Sequence, residues 1–423
     1  MITETIKAII SIKDLRRKII ATLALVLVYK FLSVIPIPGV NTTGLSAIVD
    51  GQRGLSFFSA LMGGGLENFS IILMGLSPYI NAVIIIQLLG VIIPKIGDLQ
   101  KEGEQGQKKI TKYTRWLTLP IAFLQSYGMI VLLNSLAGGT IIDATNMPVI
   151  LTAMTIATAG TIFLMWLGEV MTEYGISNGI SIIITAWVLS ATPGIIMGFI
   201  QDSSQYPLFA GLLIATLVII YIIIKFTEGH RRIPIIYAKT GGEEKSYFPI
   251  KVNQAGMIPI IFSISIITFP AIIGQILSNS NGANASRVGE ILVQYFSLEN
   301  PSWIFIVIYF LLVLAFAFFY VSITFDTDRV AENIQKRGGY IPGIRPGDDT
   351  ANYLQRVSNH LNLFGGWFLA LIAVLPYVLG KFLGQSVDLI ISGAGLIIIV
   401  SVILDVIRKV DGEMKMFDYS KYK

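Results

Sequence analysis

Apolar residues fill long stretches of this chain, and polar residues gather between the stretches instead of alternating with them. A helix that crosses a bilayer needs about 20 mostly apolar residues. Ten windows fit that template: Ile19–Ile35, Phe69–Ile93, Trp116–Leu136, Val149–Leu167, Gly179–Ile200, Pro207–Phe226, Ala255–Leu277, Ser302–Phe325, Leu363–Lys381 and Val387–Ile407. The first is short, and Lys30 near its end is placed to snorkel to the interface. The second carries Pro78, Asn81 and Gln87, which lipid alone gives no reason to keep. Pro78 removes a backbone donor and is expected to loosen its helix.

Charge placement tests the ten windows. Connecting segments on one side of a membrane carry an excess of Lys and Arg. Taken alternately, the tails and loops hold 27 Lys and Arg on one side and 3 on the other, with Lys225 and Lys381 counted in the adjoining loops. One wrong window would scramble that alternation, so ten spans with both termini in the cytosol are expected. The rest of the composition agrees: 54% of the 423 residues are hydrophobic and 13% are charged, and the mean hydropathy is +0.72. A soluble domain carries about 25% charged residues. The sequence pI near 9.1 is then mostly this asymmetry, not a nucleic-acid surface. No cleavable signal is expected, because a basic stretch precedes the first apolar run and many spans follow it.

Two cytosolic segments are longer than connectors need to be. They are Lys225–Asn253 and Asp326–His360, and both mix basic residues with Ile, Tyr, Pro and Gly-Gly turns. "RRIPIIYAK" alternates as a strand does, and "GGEEKSYFPI" is suited to return it as a hairpin. Both segments are read as folded elements that protrude for docking. The spans divide five and five, at residues 1–200 and 201–423, with Gln201–Tyr206 between them. An odd number per half inverts the second half relative to the first, as in inverted-repeat membrane proteins.

Candidate chemistry is sparse. There is no cysteine, and His230 and His360 are the two histidines. No metal, cofactor or catalytic motif is expected, and the chain is read as a non-enzyme. Mid-span carboxylates, which mark ion and proton routes, are essentially missing. Glu169, Glu173 and Asp405 sit at span ends instead. The spans offer aliphatic pairs at helical spacing, Leu76 with Ile80 and Ile180 with Ile184, a pattern that ordinary packing also produces. Before the second span, "LSFFSALMGGGL" (Leu55–Leu66) is apolar, too short to cross, and ends on Gly63, Gly64 and Gly65. It fits either a short helix that swings on a glycine joint or one lying on the outer surface. The classes in play are a polypeptide channel, a secondary transporter of a small solute built from inverted repeats, and a membrane-bound enzyme.

Five stretches together resemble one family, the bacterial SecY protein-translocation channels. They are "LSVIPIPGV" (Leu32–Val40), "SIILMGLSPYINAVIIIQLL" (Ser70–Leu89), "WLGEVMTEYGISNGISII" (Trp166–Ile183), "RRIPIIYAK" and "GGYIPGIRPGDDTANYL". They keep the family's order along the whole chain. Val83 departs from it, standing where a small Ser or Gly is usual.

The resemblance implies an all-α polytopic membrane protein. Ten transmembrane helices in two inverted five-helix halves would surround an hourglass pore with a lateral gate. It implies a pore ring of Leu76, Ile80, Ile180, Ile184, Ile261 and Ile398. It implies a plug within residues 55–66, including Leu55, Phe57, Phe58, Leu61, Gly63, Gly64 and Gly65. The gate would carry Asn81, Gln87, Gln125 and Thr268, with Asn81 bonded to Gln125 across the closed seam. Docking of a motor or ribosome would fall to Arg231, Arg232, Lys239, Lys336, Arg337 and Arg345. Implied partners are the small membrane subunits SecE and SecG, the SecA ATPase, the ribosome, signal sequences, nascent chains and the lipid bilayer of a bacterial plasma membrane. No cofactor is implied.

Overall fold

In this computed structural model, residues 12–40, 69–136, 146–201, 206–239, 242–278, 282–296, 301–383 and 393–421 are described. The proposed plug, residues 55–66, lies outside them. The described chain is mostly helical, and each of the ten apolar windows meets a helix. The helices are α1 (Lys13–Val34), α2 (Ser77–Ile92), α3 (Pro94–Lys101), α4 (Glu104–Leu136), α5 (Met147–Tyr174), α6 (Gly179–Gln201) and α7 (Tyr206–Thr227). After a hairpin of β1 (His230–Lys239) and β2 (Gly242–Lys251) come α8 (Ile258–Ser278), α9 (Ala283–Phe296), α10 (Trp303–Thr324) and α11 (Thr327–Lys336). A short β3 (Gly339–Tyr340) then leads to α12 (Asp348–Leu383) and α13 (Gly393–Lys421). Among the described residues, α5, α7, α10 and α12 are long and apolar enough to cross a membrane. The pair α2 and α3, bent by 112°, adds a fifth if it is one span.

The chain divides into two compact units. The first joins Met1–Ser203 with Ser265–Ser302 and Val402–Lys423, and the second joins Ser204–Ile264 with Trp303–Ser401. The boundaries fall between α6 and α7, inside α8, just before α10 and inside α13.

In the first unit α5 packs against α1, α4 and α6. The second apolar window is not one helix. Phe69–Leu76 is a run of turns, and the helix starts only at Ser77. Pro78 is thus in the first turn, where its missing N–H has no intrahelical partner to lose. It opens the helix and does not loosen it, contrary to the sequence-based expectation. Two cross-connections hold the irregular run. Ile37 N–H donates to Phe69 O at 2.9 Å, and Ile71 N–H donates to Ile35 O at 3.0 Å, flanking a Pro36–Ser70 bridge. Beneath them lies a buried cluster of Ile37, Phe69, Leu73, Met74, Met129, Ile130, Leu133 and neighbours from α5. Gly160 of α5 makes room for the run, since a Cβ there would stand 2.0 Å from Ile71 O.

In the second unit α10 lies along α12. Phe226 at the end of α7 stacks on Phe368 of α12, with ring centroids 3.7 Å apart. The two long segments, Lys225–Asn253 and Asp326–His360, do not stand separately. β1 pairs antiparallel with β2 from His230↔Lys251 to Lys239↔Gly242, and β3 pairs with β1 at Ile236↔Tyr340 and Tyr237↔Gly339. Alternation decides which side chains face inward. Ile233, Ile235 and Ile250 from the sheet meet Ile334 of α11, Ile341 and Leu354 of α12 in one buried cluster. Asp326 caps α11 by accepting from Arg329 N–H at 3.1 Å.

Leu354 is fully buried at the centre of that cluster. Leu354→Ala should destabilise the three-stranded module by about 2–5 kcal/mol. The measurement is the rate of tryptic cleavage around Lys239 and Lys245 in membrane vesicles. Faster cleavage there is expected with α10 and α12 still protected, and an unchanged rate would contradict a shared core.

Candidate functional site

The turn between α5 and α6 sets the position of one aliphatic pair. Asn178 Oδ1 accepts from the N–H groups of Ile180 and Ser181 at 3.1 and 3.3 Å, an N-cap for α6. Gly179 N–H donates to Thr172 Oγ1 at 2.8 Å. Gly179 also lies against α5 so closely that a Cβ would stand 2.1 Å from Gly168 O. "GISNGIS" is therefore a tight, capped elbow, and it fixes where Ile180 and Ile184 emerge. Ile180 is half-buried and Ile184 is buried, one turn apart on α6.

The other pair in the first unit begins α2. Leu76 is the fully buried N-cap residue, and half-buried Ile80 donates its N–H to Leu76 O at 2.9 Å. In the second unit, Ile261 is half-buried in the first turn of α8, and Ile398 is buried on α13.

The amides behave differently from expectation. Gln87 of α2 and Gln125 of α4 each have a buried Oε1 with no hydrogen-bond partner. Among the described residues no bond joins Asn81 to Gln125. Thr268 Oγ1 donates to Ser265 O of its own turn at 3.1 Å. The expected cross-seam bond is therefore not made in this conformation. Both amide oxygens are left buried without a partner.

The basic residues of the two long segments come together on the three-stranded module. Arg231 and Arg232 are exposed on β1, just ahead of buried Ile233, and Lys239 ends that strand. Lys336 and Arg337 are exposed at the end of α11, where Lys336 pairs with Glu332 at 2.7 Å. Arg345 is exposed in the turn after β3. Gly343 and Gly347 on either side of it adopt φ of 80° and 102°, and Thr350 Oγ1 donates to Arg345 O at 2.8 Å. A left-handed glycine on each side and an anchored carbonyl give this cation a fixed base.

Sequence reasoning missed several polar links. Arg115 of α4 holds Glu169 of α5 bidentately, at 2.8 and 2.7 Å. Ser177 donates to Asp405, and Lys18 pairs with Glu413, so the chain's first and last described helices meet around Ile12, Leu15 and Val410. The span-end positions of Glu169 and Asp405 were the available signal, but their partners lie 54 and 228 residues away in sequence.

These features define a multi-pass helical membrane protein whose distinctive groups are aliphatic side chains and exposed cations. The chain is 37% identical to protein translocase subunit SecY of Halalkalibacterium halodurans, over 99% of this chain and 99% of that one. It is 38% identical to the subunit of the same name from Corynebacterium glutamicum, over 96% of each chain. Its fold is similar to a solved SecY channel whose plug domain stabilises the closed state, with a TM-score of 0.68, 19% identity and coverage of 94% of this chain and 92% of that one. It is also similar to Sec61 in the canine ribosome–channel complex from the endoplasmic reticulum, with a TM-score of 0.64, 18% identity and coverage of 94% and 92%. The SecY family profile matches residues 70–407, and the chain belongs to the SecY family.

The elbow can be tested directly. Asn178→Ala should cost about 1 kcal/mol through the lost cap. Gly179→Ala should cost more, because its Cβ must push α6 away from Gly168 O. Thermal unfolding in detergent should rank the two in that order, and equal losses would show that the close approach is not a constraint.

Proposed function

We propose that this chain is the pore-forming subunit of a protein translocase. It passes unfolded polypeptides across a bacterial plasma membrane and releases transmembrane segments sideways into lipid. The observation that carries this reading is identity to SecY translocase subunits over nearly the full length of both chains, on a fold similar to protein-conducting channels. The transporter alternative has no such support.

In this reading all ten windows are spans, both termini are cytosolic, and residues 1–200 and 201–423 are the inverted halves. Leu76, Ile80, Ile180, Ile184, Ile261 and Ile398 form a collar at the waist of an hourglass pore. Aliphatic side chains suit that task, because a narrow apolar constriction dewets and so resists ions. They offer a sliding chain no fixed hydrogen bond, so any sequence can pass. Leu55–Leu66, with Phe57, Phe58 and Leu61 ahead of its three glycines, is the plug on the outer side. Asn81, Gln87, Gln125 and Thr268 belong to the lateral gate. The unpaired oxygens of Gln87 and Gln125 support this assignment. A buried polar atom left without a partner costs about 1–3 kcal/mol, which favours rearrangements that give it one.

The three-stranded module is the docking body for a motor ATPase such as SecA or for the ribosome, through Arg231, Arg232, Lys239, Lys336, Arg337 and Arg345. SecE and SecG are the expected membrane partners. The driving energy comes from the docked partner, and the chain itself acts as a conduit and not an enzyme.

Replacing Ile80, Ile184 and Ile261 together with Asn should wet the collar and raise resting conductance in planar bilayers. Single replacements should do less, because neighbours close in. A triple variant as tight as the parent would remove these residues from the seal.

Arg345→Glu should abolish motor-driven export from proteoliposomes while insertion and folding persist. Arg345→Lys should be partly defective, since an ammonium cannot reproduce bidentate pairing. Normal ATP-dependent export by Arg345→Glu would refute the docking role.

A further inference from the structure

α9 was not foreseen from the apolar pattern, and nothing in the translocation reading uses it. It is a helix of 14 residues lying between α8 and α10 in the chain. Its side chains sort into three faces, as successive residues turn by about 100°. One face packs on the end of α8. A Cβ on Gly289 would stand 2.3 Å from Ser278 N and 2.6 Å from Gly274 O, and one on Gly274 would stand 2.8 Å from Leu292 Cβ. Ser286 Oγ donates to Ser278 O at 3.2 Å across the same contact. With backbone against backbone, no long side chain can flex between the helices, so α9 and the end of α8 form one rigid elbow.

The other two faces are exposed and chemically opposite. Val288, Ile291 and Tyr295 are 50%, 46% and 38% exposed and lie on one stripe, at i, i+3 and i+7. Arg287, Glu290 and Gln294 are exposed on the other face. A lone apolar stripe does not name its occupant, but the elbow fixes its height. Gly274 and Ser278 are in the last turn of α8, so at 1.5 Å per residue α9 sits within about 6 Å of that helix end. The next span begins at Trp303, seven residues after α9 ends at Phe296, and Ser302 Oγ donates to Tyr295 O at 2.7 Å. With α8 and α10 taken as spans, as proposed above, the stripe is held where both leave the bilayer, with protein on one flank, an apolar face and a water-facing face. Those are the requirements of a helix lying in the lipid headgroup–acyl boundary.

We infer that α9 is an interfacial float. Its Val288–Ile291–Tyr295 stripe binds the outer lipid boundary and, through the Gly274–Gly289 crossing, fixes the height of the outer end of α8. The side of the membrane and the height of the stripe both rest on the ten-span reading, while the relaxation data below test the lipid contact by itself.

The absence of native cysteine allows a direct test. Single cysteines at 288, 291, 295, 287 and 290 are spin-labelled in the full chain, purified with its accompanying small subunits and placed in vesicles of zwitterionic and anionic phospholipid. Dioxygen, which concentrates in lipid, should relax labels at 288, 291 and 295 more than a water-soluble nickel chelate does. Labels at 287 and 290 should show the reverse order. Nickel dominance at every position would overturn the inference, and so would shielding of the stripe from both agents, which would mean that protein covers it. A membrane-impermeant thiol reagent separately reports the side at Arg287→Cys. Reaction from the outer side is expected, and reaction from the cytosolic side alone would overturn the span count and the outer placement while leaving the lipid contact to the relaxation data.

Discussion

A peptide group without a hydrogen bond in hydrocarbon costs several kcal/mol, and this chain is arranged around that penalty. Most of it obeys by being helical. Among the described residues, Phe69–Leu76 is an irregular run inside an apolar window. Its backbone is tied to Ile35 and Ile37 across a short bridge, and to itself by i→i+3 bonds such as Leu73 N–H to Ser70 O and Gly75 N–H to Ile72 O, both at 2.9 Å. Phe69 takes a positive φ of 45°, which an L residue tolerates at roughly 1–2 kcal/mol. Full burial of its ring holds it there. The start of α2, and hence Leu76 and Ile80, is set by this small non-helical anchor and not by the helix alone.

Two kinds of surface follow from one composition. The apolar windows are almost free of charge, and the aliphatic pairs that open α2 and α6 have no charged residue beside them in sequence. The cations are instead gathered on a module with its own buried core of isoleucines. Arg345 between two left-handed glycines illustrates the economy of the arrangement. A flexible loop would have to lose entropy to present a cation, whereas this turn is already fixed by Gly343, Gly347 and the Thr350 bond.

Helix positions and the β-hairpin were legible in the sequence, because apolar runs and strict alternation are local signals. The start of α2 was not, since "SIILMGL" is as apolar as a helix and its real partners are near Pro36, outside any local window. Pro78 carried the correct information, as a first-turn proline, but was read as an interior one. α9 was hidden because its stripe is short and its packing face is centred on a glycine, Gly289, which registers as a breaker. The Asn81–Gln125 bond failed for another reason: adjacency of two helices does not tell which amides face each other. The union of the two long segments rests on a shared buried cluster and on a two-residue strand, Gly339–Tyr340, too short to announce itself.

The pairing of Lys18 with Glu413 spans 395 positions, and that of Ser177 with Asp405 spans 228. A ribosome makes this chain from one end, so α1 emerges long before the residues that cover Leu15. Until α13 is finished, Ile12 and Leu15 lack Val410, and the elbow serine lacks its carboxylate. The first unit is thus closed by residues made much later than those they cover. A chain stopped before α13 would be left unlatched, with the apolar patch of Ile12 and Leu15 uncovered.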